Sequence, residues 1–121
     1  MGAIQNNDQQ EGISISLAEE QLQAYNNRDI EDFLKPYSED IKVYEYPDTL
    51  LYTGKEKMRV KYTDKFKTVT DLHCRLVNRM VLENTVIDQE EVTIEKNKPT
   101  ISAIAIYTIA NNKINEVRFI H

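Results

Sequence analysis

Hydrophobic positions recur along this chain with two different periods. Leu17, Leu22 and Tyr25 fall at helical spacing in and around the run "LAEEQLQAY". Ile30, Phe33, Leu34 and Tyr37 follow at i, i+3, i+4 and i+7. Ser16 with Glu19 reads as a capping box for the first helix, and Asp29 as the N-cap of a short second one. Pro36 should end that second helix, because it has no N–H to give and disfavours a helical residue before it. "IKVYEY" at 41–46 is a strand, stopped by Pro47, and Gly54 precedes a third helix over about 55–67 with Met58, Tyr62 and Phe66 on one side.

Beyond that helix the period becomes two. "DLHCRLVNRMVL", "TVIDQEEVTIEK", "TISAIAIYTIA" and "KINEVRFI" read as four strands, with turns at 83–85, 97–99 and 111–112. The order helix, helix, strand, helix and four strands predicts an α+β fold with helices on one face of a mostly antiparallel sheet. Residues 1–13 are polar and amide-rich and read as a disordered N-terminal tail, leaving 14–121 as a single domain.

The first long hairpin carries the most specific expectation. One strand has an apolar row of Leu72, Cys74, Leu76, Met80 and Leu82, interrupted by Asn78. The next has Val86, Val92 and Ile94, interrupted by Asp88 and Glu90. A three-residue loop at 83–85, with Asn84 in the left-handed position, would put both rows on one face. Leu82 would then face Val86, Met80 Asp88, Asn78 Glu90, and Leu76 Val92. Asn78, Asp88 and Glu90 would lie inside an apolar patch, where polar groups need partners. His73, Arg75, Arg79, Gln89 and Glu91 would form the opposite face. Two carboxylates so placed would repel each other and lose hydration. At least one pKa would rise toward neutrality, as proton transfer beside a carbonyl requires.

Charge narrows the partners. The net charge of −5 and pI near 5.0 argue against nucleic acid and anionic membranes. The helix "KEKMRVKYTDKFK" carries six cations against two acids, which reads as a solvated face able to draw an anionic ligand toward a pocket mouth. Cys74 is the lone cysteine and fits a reducing, cytoplasmic setting as a small buried hydrophobe. No membrane-length apolar run and no signal-like segment is present. Spacings for a metal, a phosphate loop or a nucleophile elbow are absent too, so no cofactor is expected.

Three stretches carry a resemblance. "AYNNRDIEDFLKPYSEDIKVYEYPD", "LVNRMVLENTVIDQEEVT" and "AIAIYTIANNKINEVRFI" resemble the nuclear transport factor 2-like superfamily. Within it they are most similar to SnoaL-like (polyketide cyclase-type) and ketosteroid isomerase-related domains, over roughly residues 15–121. The resemblance implies a cone-shaped fold, a curved sheet around three helices, an apolar cavity and a homodimer. It puts a catalytic base near Glu45, and puts Gln21 and Ala105 where a steroid isomerase carries its oxyanion-stabilising Tyr and Asp. Lacking both donors, the chain is not expected to isomerise steroids.

Two functions from different classes remain open. One is cofactor-independent proton transfer of isomerase, cyclase or dehydratase type on a small apolar carbonyl compound, using Glu90, Asp88 or Glu45. The other is a non-catalytic ligand-binding or dimeric accessory domain. In either, Gln21, Tyr25, Tyr46, Asn78 and Tyr107 are the expected ligand contacts, the tyrosines offering flat apolar walls with a hydroxyl at the rim. The partner would be a small apolar or aromatic molecule, with homodimerisation through the outer sheet face.

Overall fold

The structure is a computed structural model and describes the backbone of residues 2–121 and the side chains of residues 8–121. Its elements follow the expected α+β order. They are α1 (Gly2–Asn27), α2 (Ile30–Leu34), β1 (Tyr37–Glu45), β2 (Thr49–Thr53), α3 (Lys55–Thr68), β3 (His73–Leu82), β4 (Thr85–Thr93), β5 (Ile101–Ala110) and β6 (Lys113–Ile120). The strands form one curved six-stranded sheet in the order β2-β1-β6-β5-β4-β3. All neighbours are antiparallel except β1 and β6.

Several boundaries differ from the sequence reading, and β1 begins at Tyr37, which was expected on the second helix, instead of at Ile41. Residues 2–13 belong to α1 instead of forming an irregular tail, and Ser16 is an exposed residue inside that helix, not its cap. The support is tertiary: Ser14 Oγ donates to Glu83 O at 2.9 Å, and Glu83 N donates to the Glu11 carboxylate at 2.9 Å. β2 is a strand the alternation did not reveal; its five residues run back along β1 after the turn at Pro47.

Other local signals act as written. Asp29 caps α2, its Oδ1 accepting from Asp32 N at 3.1 Å, and the helix stops at Leu34 ahead of Pro36. Asp29→Ala is expected to lower unfolding stability by about 1 kcal/mol, read by urea denaturation. Asn111 and Asn112 both adopt positive φ in the β5–β6 turn, the geometry a two-residue hairpin loop favours.

The core lies between the helices and the concave sheet face. Leu17, Ala18, Gln21 and Leu22 form the buried stripe of α1, and Phe33 of α2 is packed among Tyr25, Tyr37, Tyr62 and Phe66. From the sheet come Val43, Val86, Ala105, Tyr107 and Val117. Among the described residues no helix is long and apolar enough to cross a membrane.

The β3–β4 register departs from expectation in a way that matters for the site. The loop has two residues, with Leu82 opposite Thr85, and Glu83, not Asn84, takes the positive φ of 51°. A bulge between Leu76 and Asn78 then switches faces within β3. The actual pairs are Met80 with Ile87, Arg79 with Asp88, Asn78 with Gln89 and Leu76 with Glu90. Asp88 and Glu90 do point inward. Asn78, Met80 and Leu82 point outward instead, while Arg79, expected on the outer face, comes inward.

Candidate functional site

A cavity of about 480 Å³ opens between the helices and the sheet. Its existence follows from side-chain size. On β5 the residue opposite Glu90 is Ala103, whose short side chain lines the cavity and leaves room beneath the helices. Tyr25, Phe33 and Tyr62 make an aromatic wall, with the Phe33 and Tyr62 ring centroids 4.6 Å apart. Phe119 of β6 contributes from the sheet side.

Glu90 is the buried carboxylate of the cavity, the other lining carboxylate, Asp64, being exposed. Glu90 is only 7% exposed, and burial together with the nearby Asp88 charge pushes its pKa up to about 7. The Cys74 thiol nearby acts in the opposite sense, lowering that pKa, while burial together with the Glu90 charge raises the thiol's own. Cys74 is held by the chain around it. Asn26 donates from Nδ2 to Cys74 O at 2.9 Å and accepts from Cys74 N at 2.8 Å. Arg28, at φ 56°, spans to the carbonyls of Val69, Thr70 and Leu72.

Asp88 behaves differently. It is fully buried and chelated by Arg79, with Nε to Oδ1 at 2.7 Å and Nη2 to Oδ2 at 2.9 Å. Arg79 Nη1 donates in turn to Glu19 Oε1 at 2.9 Å, and Glu19 Oε2 accepts from Gln23. Asp88 is therefore saturated by a fixed cation, whereas Glu90 has none.

Gln21 organises the other end of the cavity. Its Nε2 donates to the Tyr107 hydroxyl and to Ala18 O, both at 3.0 Å, and its Oε1 accepts from the Tyr37 hydroxyl at 3.1 Å. Since Tyr107 accepts in that pair, its own proton is left to give to another group.

Of the residues singled out from sequence, Gln21, Tyr25, Glu90 and Tyr107 share the cavity wall. The others are elsewhere. Tyr46 is 52% exposed at the turn, because β1 ends one residue before it. Glu45 sits at the rim beside His121, whose Nδ1 lies 3.1 Å from its Oε2. Asn78 is turned outward by the bulge, and Asp88 lies behind the wall with Arg79. The sequence reading did not name Tyr52, Lys61, Tyr62, Lys65 or Cys74 as cavity residues, although it had Cys74 on the inward row of its strand. Tyr62 and Lys65 had a signal, the i, i+4 and i+3 spacing from Met58 and Tyr62 on α3. Among the described residues no group of three His, Cys, Asp or Glu side chains is placed to hold a metal ion.

A family model for the SnoaL-like domain matches residues 18–117. The chain belongs to the SnoaL-like domain family. Solved structures agree with that fold. An uncharacterised cystatin-fold protein from Novosphingobium aromaticivorans superposes with TM-score 0.80 at 21% identity, covering 89% of this chain and 97% of the other. A protein described as a SnoaL-like polyketide cyclase, from Jannaschia, gives 0.75 at 13% identity, with 91% and 85% covered. An LEH-like epoxide hydrolase from M. tuberculosis gives 0.75 at 11%, with 90% and 82% covered. No curated protein matches the sequence. At these identities the likeness extends to the fold, so what this SnoaL-like domain does must be argued from its own side chains.

Proposed function

We propose that this SnoaL-like domain catalyses cofactor-independent proton transfer on a small, largely apolar carbonyl compound, of isomerase, cyclase or dehydratase type, with Glu90 as the general base. One observation carries the reading: a cavity carboxyl with its pKa near neutrality and no cationic partner, beside a similar carboxyl that has one. Ionised Glu90 takes a proton from the carbon next to the carbonyl. The electron pair moves onto the carbonyl oxygen, and the Tyr107 hydroxyl donates a hydrogen bond to that developing oxyanion. Glu90, now protonated, returns the proton to another atom of the same molecule. Asp88 and Glu45, tied to Arg79 and His121, suit structural roles better than catalysis. The rival reading, a non-catalytic binding module, would use the same cavity without the proton step.

The test is hydrogen exchange in heavy water with a panel of cyclic ketones and 1,3-dicarbonyl compounds, followed by NMR. Catalysed deuterium incorporation is expected, rising with pH through an inflection near 7. Binding without exchange would leave the binding-module reading, and neither binding nor exchange would remove the small-molecule role.

A homodimer through the outer sheet face belongs to the same proposal. That face presents Met80 and Leu82, 57% and 69% exposed, beside Ile87, Ile104 and Ile106. A contiguous apolar patch on an acidic chain calls for cover. Sedimentation should show a dimer that the double substitution Met80→Asp with Ile106→Asp converts to monomer; a monomeric wild type would refute it. Cys74 as a free buried thiol supports a cytoplasmic setting.

A further inference from the structure

The cavity wall contributed by α3 carries two ammonium groups that the proton-transfer reading does not use. Lys61 and Lys65 both line it. Lys65 Nζ lies over the Tyr62 ring at 5.6 Å and the Tyr25 ring at 6.0 Å, and Lys61 Nζ over the Tyr52 ring at 5.3 Å. Aromatic faces attract cations but satisfy none of their N–H donors. Among the described residues neither lysine is within ion-pair distance of a carboxylate, although other basic side chains of the chain are. Lys65 is half-buried, and burial holds its pKa below the usual lysine range. Such a site favours an anion that completes the hydrogen bonds lost with the water.

A second polar atom points the same way. The Tyr52 hydroxyl, on the same wall and beneath Lys61, is buried with no hydrogen-bond partner among the described residues. The half-buried Lys65 ammonium and the buried Tyr52 O–H are donors without a protein acceptor, and the solvent-exposed Lys61 ammonium stands beside them. Asp64 also lines the cavity, but its side chain is exposed to solvent. His121 lines it too, already beside Glu45.

We infer that the molecule bound here is an apolar carboxylate, its anionic head held by Lys65, Lys61 and Tyr52 and its aromatic or alicyclic body against Tyr25, Phe33 and Phe119. This inference rests on the cavity reading above and names the class of ligand for it. The arrangement puts the charged head at α3 and turns the body toward the sheet, where Glu90 stands.

Two probes of matched size separate the ideas: 2-naphthoate, which carries the carboxylate, and 2-acetonaphthone, which does not. Calorimetric titration of the full chain should show 2-naphthoate binding about tenfold more tightly, with the preference shrinking as salt rises. Lys65→Met should remove most of that preference while leaving the ketone's affinity unchanged, and Lys65→Arg should keep it. Tyr52→Phe should weaken the naphthoate alone. Equal affinity for the two probes in the wild type, or an undiminished preference in Lys65→Met, would overturn the carboxylate inference and leave the cavity standing. Binding of neither probe would overturn the cavity reading, and this inference with it.

Discussion

Glu90→Gln is expected to abolish proton transfer and, above pH 7, to make the protein more stable. Loss of a positioned base typically costs between about a hundredfold and ten-thousandfold in rate. The stability effect has the opposite sign because Glu90 is poorly solvated in the fold. Its pKa rises from an ordinary 4.5 to about 7. Between those values the unfolded chain has released a proton that the folded chain retains, so stability falls as pH rises across the interval. The decline amounts to about 3 kcal/mol and levels off above pH 7. Gln has no proton to lose and removes it. Wild type and variant should therefore have similar stability near pH 4 and separate by about 3 kcal/mol at pH 8, the variant being the more stable in urea unfolding. Parallel stability profiles would show that Glu90 ionises normally, and undiminished exchange activity would end its assignment as base.

Arg79→Met should produce the largest loss of stability. Asp88 is fully buried, and Arg79 supplies both of its charge-assisted bonds. Removing the cation leaves a buried carboxylate with no counter-charge, at a cost of about 3–5 kcal/mol. Adding Asp88→Asn to the same chain should recover much of that loss, since the stranded charge is gone. Glu19, whose side chain is 42% exposed at the far side of Arg79, should matter far less, with Glu19→Gln costing under about 1 kcal/mol. The pair also bears on Glu90. Asp88 raises its pKa and Arg79 lowers it. Arg79→Met, where it folds, should move the pH–rate inflection above 7. A destabilisation of less than about 1 kcal/mol would mean that water replaces the guanidinium and that the pair is not closed.

How the site was legible from sequence depends on the element concerned. The inward direction of Asp88 and Glu90 was readable because β4 is regular and its alternation runs unbroken from Val86 to Val92. The direction of Asn78, Met80 and Leu82 was not, because one bulge residue inverts everything beyond it, and a bulge leaves no trace in a polar–apolar pattern. A clue did exist in chemistry. A buried Asp88 needs a cation, and Arg79 is its cross-strand neighbour only if β3 switches faces. Tyr46 misled for a different reason: an alternating run cannot say at which residue pairing stops, and β1 stops at Glu45. β2 was hidden because a five-residue edge strand with mostly exposed side chains has no buried face to mark it.

Sequence alone determined the three helices and five of the six strands in their order, the Asp29 cap, the stop at Pro36, the Asn111–Asn112 turn, the α+β class and the family resemblance, since these rest on local spacing and on residues whose backbone preferences act within a few positions. It also determined that two carboxyls would enter the interior. Only the tertiary structure decided which of them is free. Asp88 and Glu90 are two residues apart on one strand face, yet a bulge in the neighbouring strand delivers Arg79 to the first, while the second meets a thiol and an open space above Ala103. Protonation behaviour is set by the charges and the water within a few ångströms, and those neighbours are remote in sequence.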